Sequence, residues 1–172
     1  MLPITTPRLL LLPPDQPIYE ALFAGSAQLG HHLNISVPEV LSEFDIETFR
    51  YAFDRFQEDA SEAPWWLYLF IHRQDRALAG VGGYKGKPDE QGMVEIGYEI
   101  YPNYRLQGLA TEAADALIKR AFEHPAVRIV QAHTLAEENP SVRVLKRCGM
   151  SFTDAFDSPD DGPIWQWQIR RP

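Results

Sequence analysis

The chain of 172 residues is short of several things, and each shortage closes a class of function. It has one cysteine, Cys148, so an internal disulfide and a cysteine-rich metal site are excluded. Its longest apolar run, residues 65–71, is far too short to span a bilayer. It has no basic excess: 16 Lys and Arg stand against 24 Asp and Glu, for a net charge of −8 and a pI near 5.1. A nucleic-acid binder needs a basic footprint, so that class is set aside. An acidic chain suits a cationic partner such as an amine, although most acidic proteins are simply acidic. The first residues show no basic segment followed by an apolar core, so no signal peptide and a cytoplasmic location are expected. No repeat, low-complexity tract or long linker appears. Neither G-x-x-x-x-G-K-[ST] nor a G-x-G-x-x-G after a first strand is present, which removes the P-loop and dinucleotide readings. No Ser-His-Asp pattern stands out, and no set of His, Cys, Asp or Glu has metal-ligand spacing.

The composition that remains is globular, with 45% hydrophobic, 12% aromatic and 23% charged residues. The length fits a single domain over residues 1–172. Residues 8–12, closed by Pro13-Pro14, read as a first strand. Residues 15–30 read as a helical region, 33–41 as a loop holding little structure, and 45–60 as a second helix. Phe49, Ala52, Phe53 and Phe56 recur there at helical spacing. Residues 65–72, 77–85 and 93–101 read as three strands joined by short polar turns, an antiparallel meander. Trp65 and Trp66 are expected to send one ring to each face of the sheet. Residues 108–123 carry the clearest helical stripe: Ala110, Ala113, Ala114, Leu117, Ile118, Ala121 and Phe122. Residues 127–134 read as a strand, 140–147 as a short helix closed by Gly149, and 150–156 and 164–169 as final strands. The order is β-α-α-β-β-β-α-β-α-β-β, an α/β chain with a mixed sheet. Edge strands near the C-terminus, with an exposed Trp165 or Trp167, point toward a homodimer.

The chemistry concentrates where the strand at 93–101 feeds Arg105-Leu106-Gln107-Gly108-Leu109-Ala110 into the long helix. The first N–H groups of a helix lack internal partners, and the helix dipole adds about half a positive charge there. Gly108 and Ala110 let an anion approach the backbone, and Arg105 adds charge. An ordinary strand-to-helix turn with small residues fits the same letters. Glu95 and Glu99 share one face of the preceding strand with Gly97, while Val94, Ile96, Tyr98 and Ile100 share the other. Either carboxylate is a candidate base or a structural hydrogen-bond acceptor.

R-L-Q-G-L-A resembles the [RQ]-x-x-G-x-[GA] signature of the GCN5-related N-acetyltransferases (GNAT). The resemblance covers nearly the whole chain. Thr6-Pro7-Arg8-Leu9 to Leu12 resembles that superfamily's opening strand. Glu95-Ile96-Gly97-Tyr98, the Arg105 loop and residues 139–150 are similar to the RimJ/RimL subgroup, which acetylates N-termini of ribosomal proteins. The family fold is α/β (α+β): a central mixed, mostly antiparallel sheet with splayed middle strands, flanked by helices. The resemblance implies acetyl-CoA as co-substrate; no metal is expected, because no third ligand has recognisable spacing. It implies a pantetheine arm on the backbone of Tyr98, Glu99 and Ile100, and a pyrophosphate held by Arg105, Leu106, Gln107, Gly108, Leu109, Ala110 and Thr111. It favours Glu95 over Glu99 as the base that frees the acceptor amine for direct attack. The acceptor it implies is a protein N-terminus. A small amine (polyamine, amino sugar or amino acid) or a non-catalytic acyl-CoA-binding module are the rival readings.

The subgroup also carries N-x-x-S before the short helix, with Asn on the CoA arm and Ser protonating the thiolate. Here Asn139-Pro140-Ser141 is one residue shorter, and a local shift keeps both roles. Two helix N-cap residues are the rival reading. The Tyr acid of other superfamily members falls on Lys146. His31-His32 reads as a loop pair, solvated or lining the acceptor site. Glu39, Glu43, Asp45 and Glu47 read as a cation-attracting set or a solvated helix start. Cys148 reads as packing rather than as a nucleophile.

Overall fold

The computed structural model describes residues 2–41, 46–159 and 162–172. The chain runs β1 (Ile4–Thr5), β2 (Leu9–Leu12), α1 (Gln16–Ala24), α2 (Ser26–Leu33), α3 (Ile46–Glu58), β3 (Leu67–His72), β4 (Ala77–Tyr84), β5 (Met93–Ile100), α4 (Leu109–Glu123), β6 (Ile129–Leu135), α5 (Pro140–Arg147), β7 (Ser151–Ser158) and β8 (Gly162–Arg170). Short 3₁₀ turns at Ala60–Trp65 and Pro102–Tyr104 precede β3 and follow β5. The strands form one sheet in the order β1-β2-β3-β4-β5-β6-β8-β7. Every neighbouring pair is antiparallel except β5 with β6. A parallel pair needs a crossover, and α4 supplies it.

Two apolar clusters lie on opposite faces. Val94 and Ile96 of β5, Val130 and Ala132 of β6 and Trp167 of β8 pack with Ala113, Ala114, Leu117 and Ala121 of α4 and Val142 and Leu145 of α5. The small residues of α4 let its axis sit close to the strands. On the other face, α1, α2 and α3 pack on β3 and β4, with Tyr19 against Phe53 at 5.0 Å between ring centroids. That second cluster contains no residue of β6, β7 or β8. The helices therefore cover half of this face and leave the half beyond β5 without an apolar cap.

The expected order is recovered with differences that have local causes. The helical region at 15–30 is two helices. Asp15 caps α1, its carboxylate accepting from the Ile18 N–H at 3.0 Å. Gly25, at φ 113°, then breaks the run between Ala24 and Ser26. The second helix extends to Leu33 and stops at Asn34 in the left-handed region. His31 and His32 thus sit in the last turn of α2, exposed, and not in a loop. Within the expected loop at 33–41, Ser36 makes one isolated parallel bridge to Ala77. Trp65 and Trp66 lie just before β3 and separate as expected: Trp65 packs on Tyr84 and His124, Trp66 on Tyr51. The short β1 was not anticipated, and Glu43 and Asp45 lie outside the described residues. Trp167 is buried and Trp165 half-buried, so the exposed aromatics at this end are Phe152 and Phe156 of the edge strand β7.

Candidate active site

The parallel pairing of β5 with β6 lasts three residues and ends at Glu95 opposite Gln131. Both strands continue, to Ile100 and Leu135, without pairing with each other. The sheet is therefore split at its centre by a wedge that opens from Glu95 toward α4. The Lys85 N–H bonds the Glu95 carbonyl and the Tyr101 N–H bonds the Ala79 carbonyl, both at 2.9 Å. Odd-numbered residues of β5 thus turn their backbone groups toward β4, and Tyr98 and Ile100 turn theirs into the wedge. A Cβ on Gly97 would meet nothing within 4 Å, so the face of the strand between Glu95 and Glu99 is open there.

The mouth of the wedge is the Arg105 loop. Leu106 and Gly108 both adopt left-handed backbone, at φ 61° and 80°. Leu106 is 98% exposed, a position its apolar side chain would not choose; the loop conformation puts it there. Alternation of left-handed residues through a turn gathers successive N–H groups into an anion-binding concavity. The first intrahelical bond of α4 runs from Glu112 to the Gly108 carbonyl at 3.1 Å, so the N–H groups of Leu109, Ala110 and Thr111 precede it. Arg105 turns its Nε onto the Ile100 carbonyl at 2.8 Å and ties the loop to the strand end. Gln107 does the same for the turn, its Nε2 donating to the Asn103 carbonyl at 3.1 Å.

Arg8 completes this loop, a role the sequence reading missed. Its Nη1 donates to the Gln107 carbonyl at 2.7 Å and its Nε to Glu112 at 2.7 Å. Thr6 adds a hydroxyl to the same carboxylate at 2.6 Å. Burial pushes the Glu112 carboxyl up, but the Thr6 and Arg8 donors outweigh it and hold it below the ordinary carboxylate range. A guanidinium and a helix N-terminus therefore flank the concavity together. The signal was Thr6-Pro7-Arg8 with Glu112 in the first helical turn, about a hundred residues apart and joined only by the fold.

At the apex of the wedge, Glu95 and Glu99 part company. Glu99 is buried near Tyr101, on the side covered by α1–α3. Glu95 sits between the Lys85 ammonium and the His133 imidazole, whose Nδ1 is 3.0 Å from its carboxylate. Burial raises the Glu95 carboxyl, but Lys85 and His133 more than compensate and hold it below its usual value. It is a carboxylate, ionised and already engaged. His133 is the second residue that sequence reasoning overlooked. The alternation of β6 places Gln131 and His133 on one face, and that alone was the available signal.

On the opposite face lies the short helix α5. Asn139 is its cap, the side-chain oxygen accepting from the Val142 N–H at 3.0 Å. Ser141 is not the cap: it lies in the first turn, close enough to the buried Tyr98 phenol to influence its ionisation, although no aligned hydrogen bond joins them. Burial pushes that phenol far up, while Ser141 pulls it back slightly. Cys148 packs against the α4–β5 cluster, and burial raises its thiol to about 11. Such a thiol is a poor nucleophile at neutral pH. Among the described residues no three His, Cys, Asp or Glu side chains are placed to hold a metal, and no helix is long and apolar enough to cross a membrane.

Residues 8–151 match the acetyltransferase (GNAT) domain family. The chain is 27% identical over 153 residues, 87% of its length and 89% of the relative's, to the uncharacterised N-acetyltransferase YjdG of Bacillus subtilis (strain 168). Its fold is similar to RimL, the ribosomal L7/L12 alpha-N-protein acetyltransferase in complex with coenzyme A, with a TM-score of 0.72 at 16% identity, covering 98% of this chain and 97% of that one. It is similar as well to the Salmonella typhimurium acetyltransferase that modifies the N-terminal serine of 50S subunit protein L7/L12, with a TM-score of 0.70 at 16% identity over 99% of both chains. The split sheet, the small-residue turn at its mouth and the family match agree: the chain belongs to the GNAT family and is an N-acetyltransferase, in a family that uses acetyl-CoA.

Proposed function

We propose that the protein moves an acetyl group from acetyl-CoA directly to a primary amine, with a protein N-terminus as the first substrate class. The observation that carries this is the wedge between β5 and β6, with the Gly108 turn at its mouth and Glu95 at its apex. The pyrophosphate lies on the N–H groups from Leu106 to Thr111, beside Arg8 and Arg105. The pantetheine arm continues the sheet along Tyr98 to Ile100, with Asn139 beside it, using the Tyr98 and Ile100 backbone that no neighbouring strand claims. The thioester then reaches the apex, where a backbone N–H of β5 polarises its carbonyl.

The two faces of the sheet divide the labour. Glu95 and His133 lie on the half of one face that no described helix covers, where a cationic amine arrives. An amine of pKa about 8 to 10 is mostly protonated at neutral pH and needs a base, and deprotonation is centred on Glu95. Ser141 lies on the α5 face, where the sulfur departs, and protonates the thiolate. No enzyme nucleophile is needed, in keeping with the raised Cys148 thiol.

The RimJ/RimL resemblance and the described substrates of the two fold neighbours support a protein N-terminus ahead of a small amine. A screen of N-terminal peptides and small amines, read as free CoA released, tests the order. Turnover on peptides alone supports it, turnover on polyamines or amino sugars alone reverses it, and CoA binding without turnover on any amine identifies a binding module. Because Asn139 is the cap and Ser141 is not, Ser141→Ala is expected to leave thermal stability nearly unchanged. Turnover should fall about tenfold, with CoA affinity within about threefold, as for an interaction made only in the transition state. Equal loss of stability and no loss of turnover in the folded enzyme would remove Ser141 from the chemistry.

A further inference from the structure

We infer that His133 Nε2 is the atom that receives the acceptor's proton, with Glu95 as the residue that holds the ring. The inference rests on the direct-transfer reading above and assigns its base. The Glu95 carboxylate is 3.0 Å from His133 Nδ1 and is also paired with Lys85. A carboxylate only accepts, so the proton of a neutral imidazole sits on Nδ1 and the lone pair on Nε2. Among the described residues that Nε2 is buried with no hydrogen-bond partner, and the facing Glu95 Oε1 is held by charge and proximity rather than by an aligned hydrogen bond. A lone pair left unsatisfied inside a protein is unfavourable and calls for a donor, which the acceptor's N–H supplies.

The surroundings are specific. Glu95 and Lys85 face the ring from β5 and the end of β4, Gln166 lies beside it on β8, and Asp154 is opposite Gln166 on β7. Phe156 of β7 stands edge-to-face against the imidazole, its centroid 5.5 Å away. Phe156 is 43% exposed, on a strand open to solvent along nearly its whole length, so its ring is free to swing. The acceptor takes the place of that ring. An ammonium has no lone pair, so it first gives one proton to Nε2, which passes it to solvent; the neutral amine then attacks, and its N–H proton moves to Nε2 as the N–C bond forms. The C–S bond breaks, and the thiolate takes a proton from Ser141, which regains one from water. The imidazolium returns its proton to solvent after the amide leaves. Glu95 itself, depressed and already paired, is the weaker proton acceptor, and its part is to fix the tautomer.

His133→Ala and His133→Gln test this on the whole enzyme with acetyl-CoA and the best amine from the screen. Both should lower kcat/KM at pH 7 about a hundredfold or more, the usual scale for a general base, with CoA affinity within about threefold. The acid limb of the wild-type pH profile should vanish. Added imidazole should restore His133→Ala at least tenfold but not Glu95→Gln. Near-normal turnover of His133→Gln with the limb intact would overturn the assignment and leave Glu95 as the base. A loss that imidazole does not relieve would overturn it too, because a structural role is not rescued by a free ring. Initial-rate patterns separate this failure from that of the underlying reading: parallel lines would overturn direct transfer itself, whereas intersecting lines with an unaltered His133→Gln overturn only the role of His133.

Discussion

Glu95→Gln is expected to reduce turnover by roughly 10²–10⁴ at neutral pH, the span found when a general base is lost or disabled. The substitution keeps the size of the side chain and removes the charge that Lys85 and His133 share. A glutamine can also donate to His133 Nδ1, which would hold the ring in the wrong tautomer. In the serine protease triad, the corresponding change of the orienting carboxylate to an amide costs about 10⁴ in kcat through the same error. The loss should shrink as pH rises, because a growing fraction of the amine is then neutral without help. A rate profile against pH with the best amine checks this. A loss of equal size at every pH would make Glu95 a structural carboxylate, and full activity would take it out of the mechanism.

The second large effect is expected at the mouth of the wedge. Gly108→Glu should weaken acetyl-CoA binding by well over tenfold, about 1.4 kcal/mol or more. Gly108 caps α4 at φ 80°, a conformation that L side chains adopt with strain of about 1–2 kcal/mol. A Cβ there would sit 3.5 Å from Arg8 Nη2, so space alone does not forbid a side chain. A carboxylate at that point would pair with Arg8 and occupy the field of the helix N-terminus, where the pyrophosphate belongs. Gly108→Ala carries the same backbone strain without the charge, and its smaller effect measures the strain alone. Calorimetric titration of both folded variants with CoA reads the two contributions. Unchanged affinity in Gly108→Glu would move the pyrophosphate elsewhere.

Much of this arrangement was legible in the residues because it depends on local pattern. Alternation put Glu95, Gly97 and Glu99 on one face of β5, and the alanine stripe of residues 108–123 marked α4 as the helix that lies against the sheet. The break of the first helix at Gly25 was less legible, because a single glycine within a helical pattern is often tolerated. What the letters could not show was contact between distant segments. Arg8 reaches Glu112 and the Gln107 carbonyl only because β2 lies beside the start of α4. His133 meets Glu95 because β5 and β6 pair in parallel for three residues before they part. Ser141 and Asn139 looked alike as cap residues, and the geometry of the first turn of α5 separated them. Coverage by α1–α3 separated Glu99 from Glu95, although both lie on one face of β5 and spacing had left them equivalent.

The central claim is direct transfer across the wedge, with no acetyl group ever on the protein. Intact-mass measurement tests it most directly. The enzyme is incubated with acetyl-CoA alone, then with acceptor added. The account predicts an unmodified protein mass at the first stage, then one equivalent of free CoA for each N-acetylated product at the second. An acetyl adduct on Cys148 that forms without acceptor and disappears when the amine is added would contradict it.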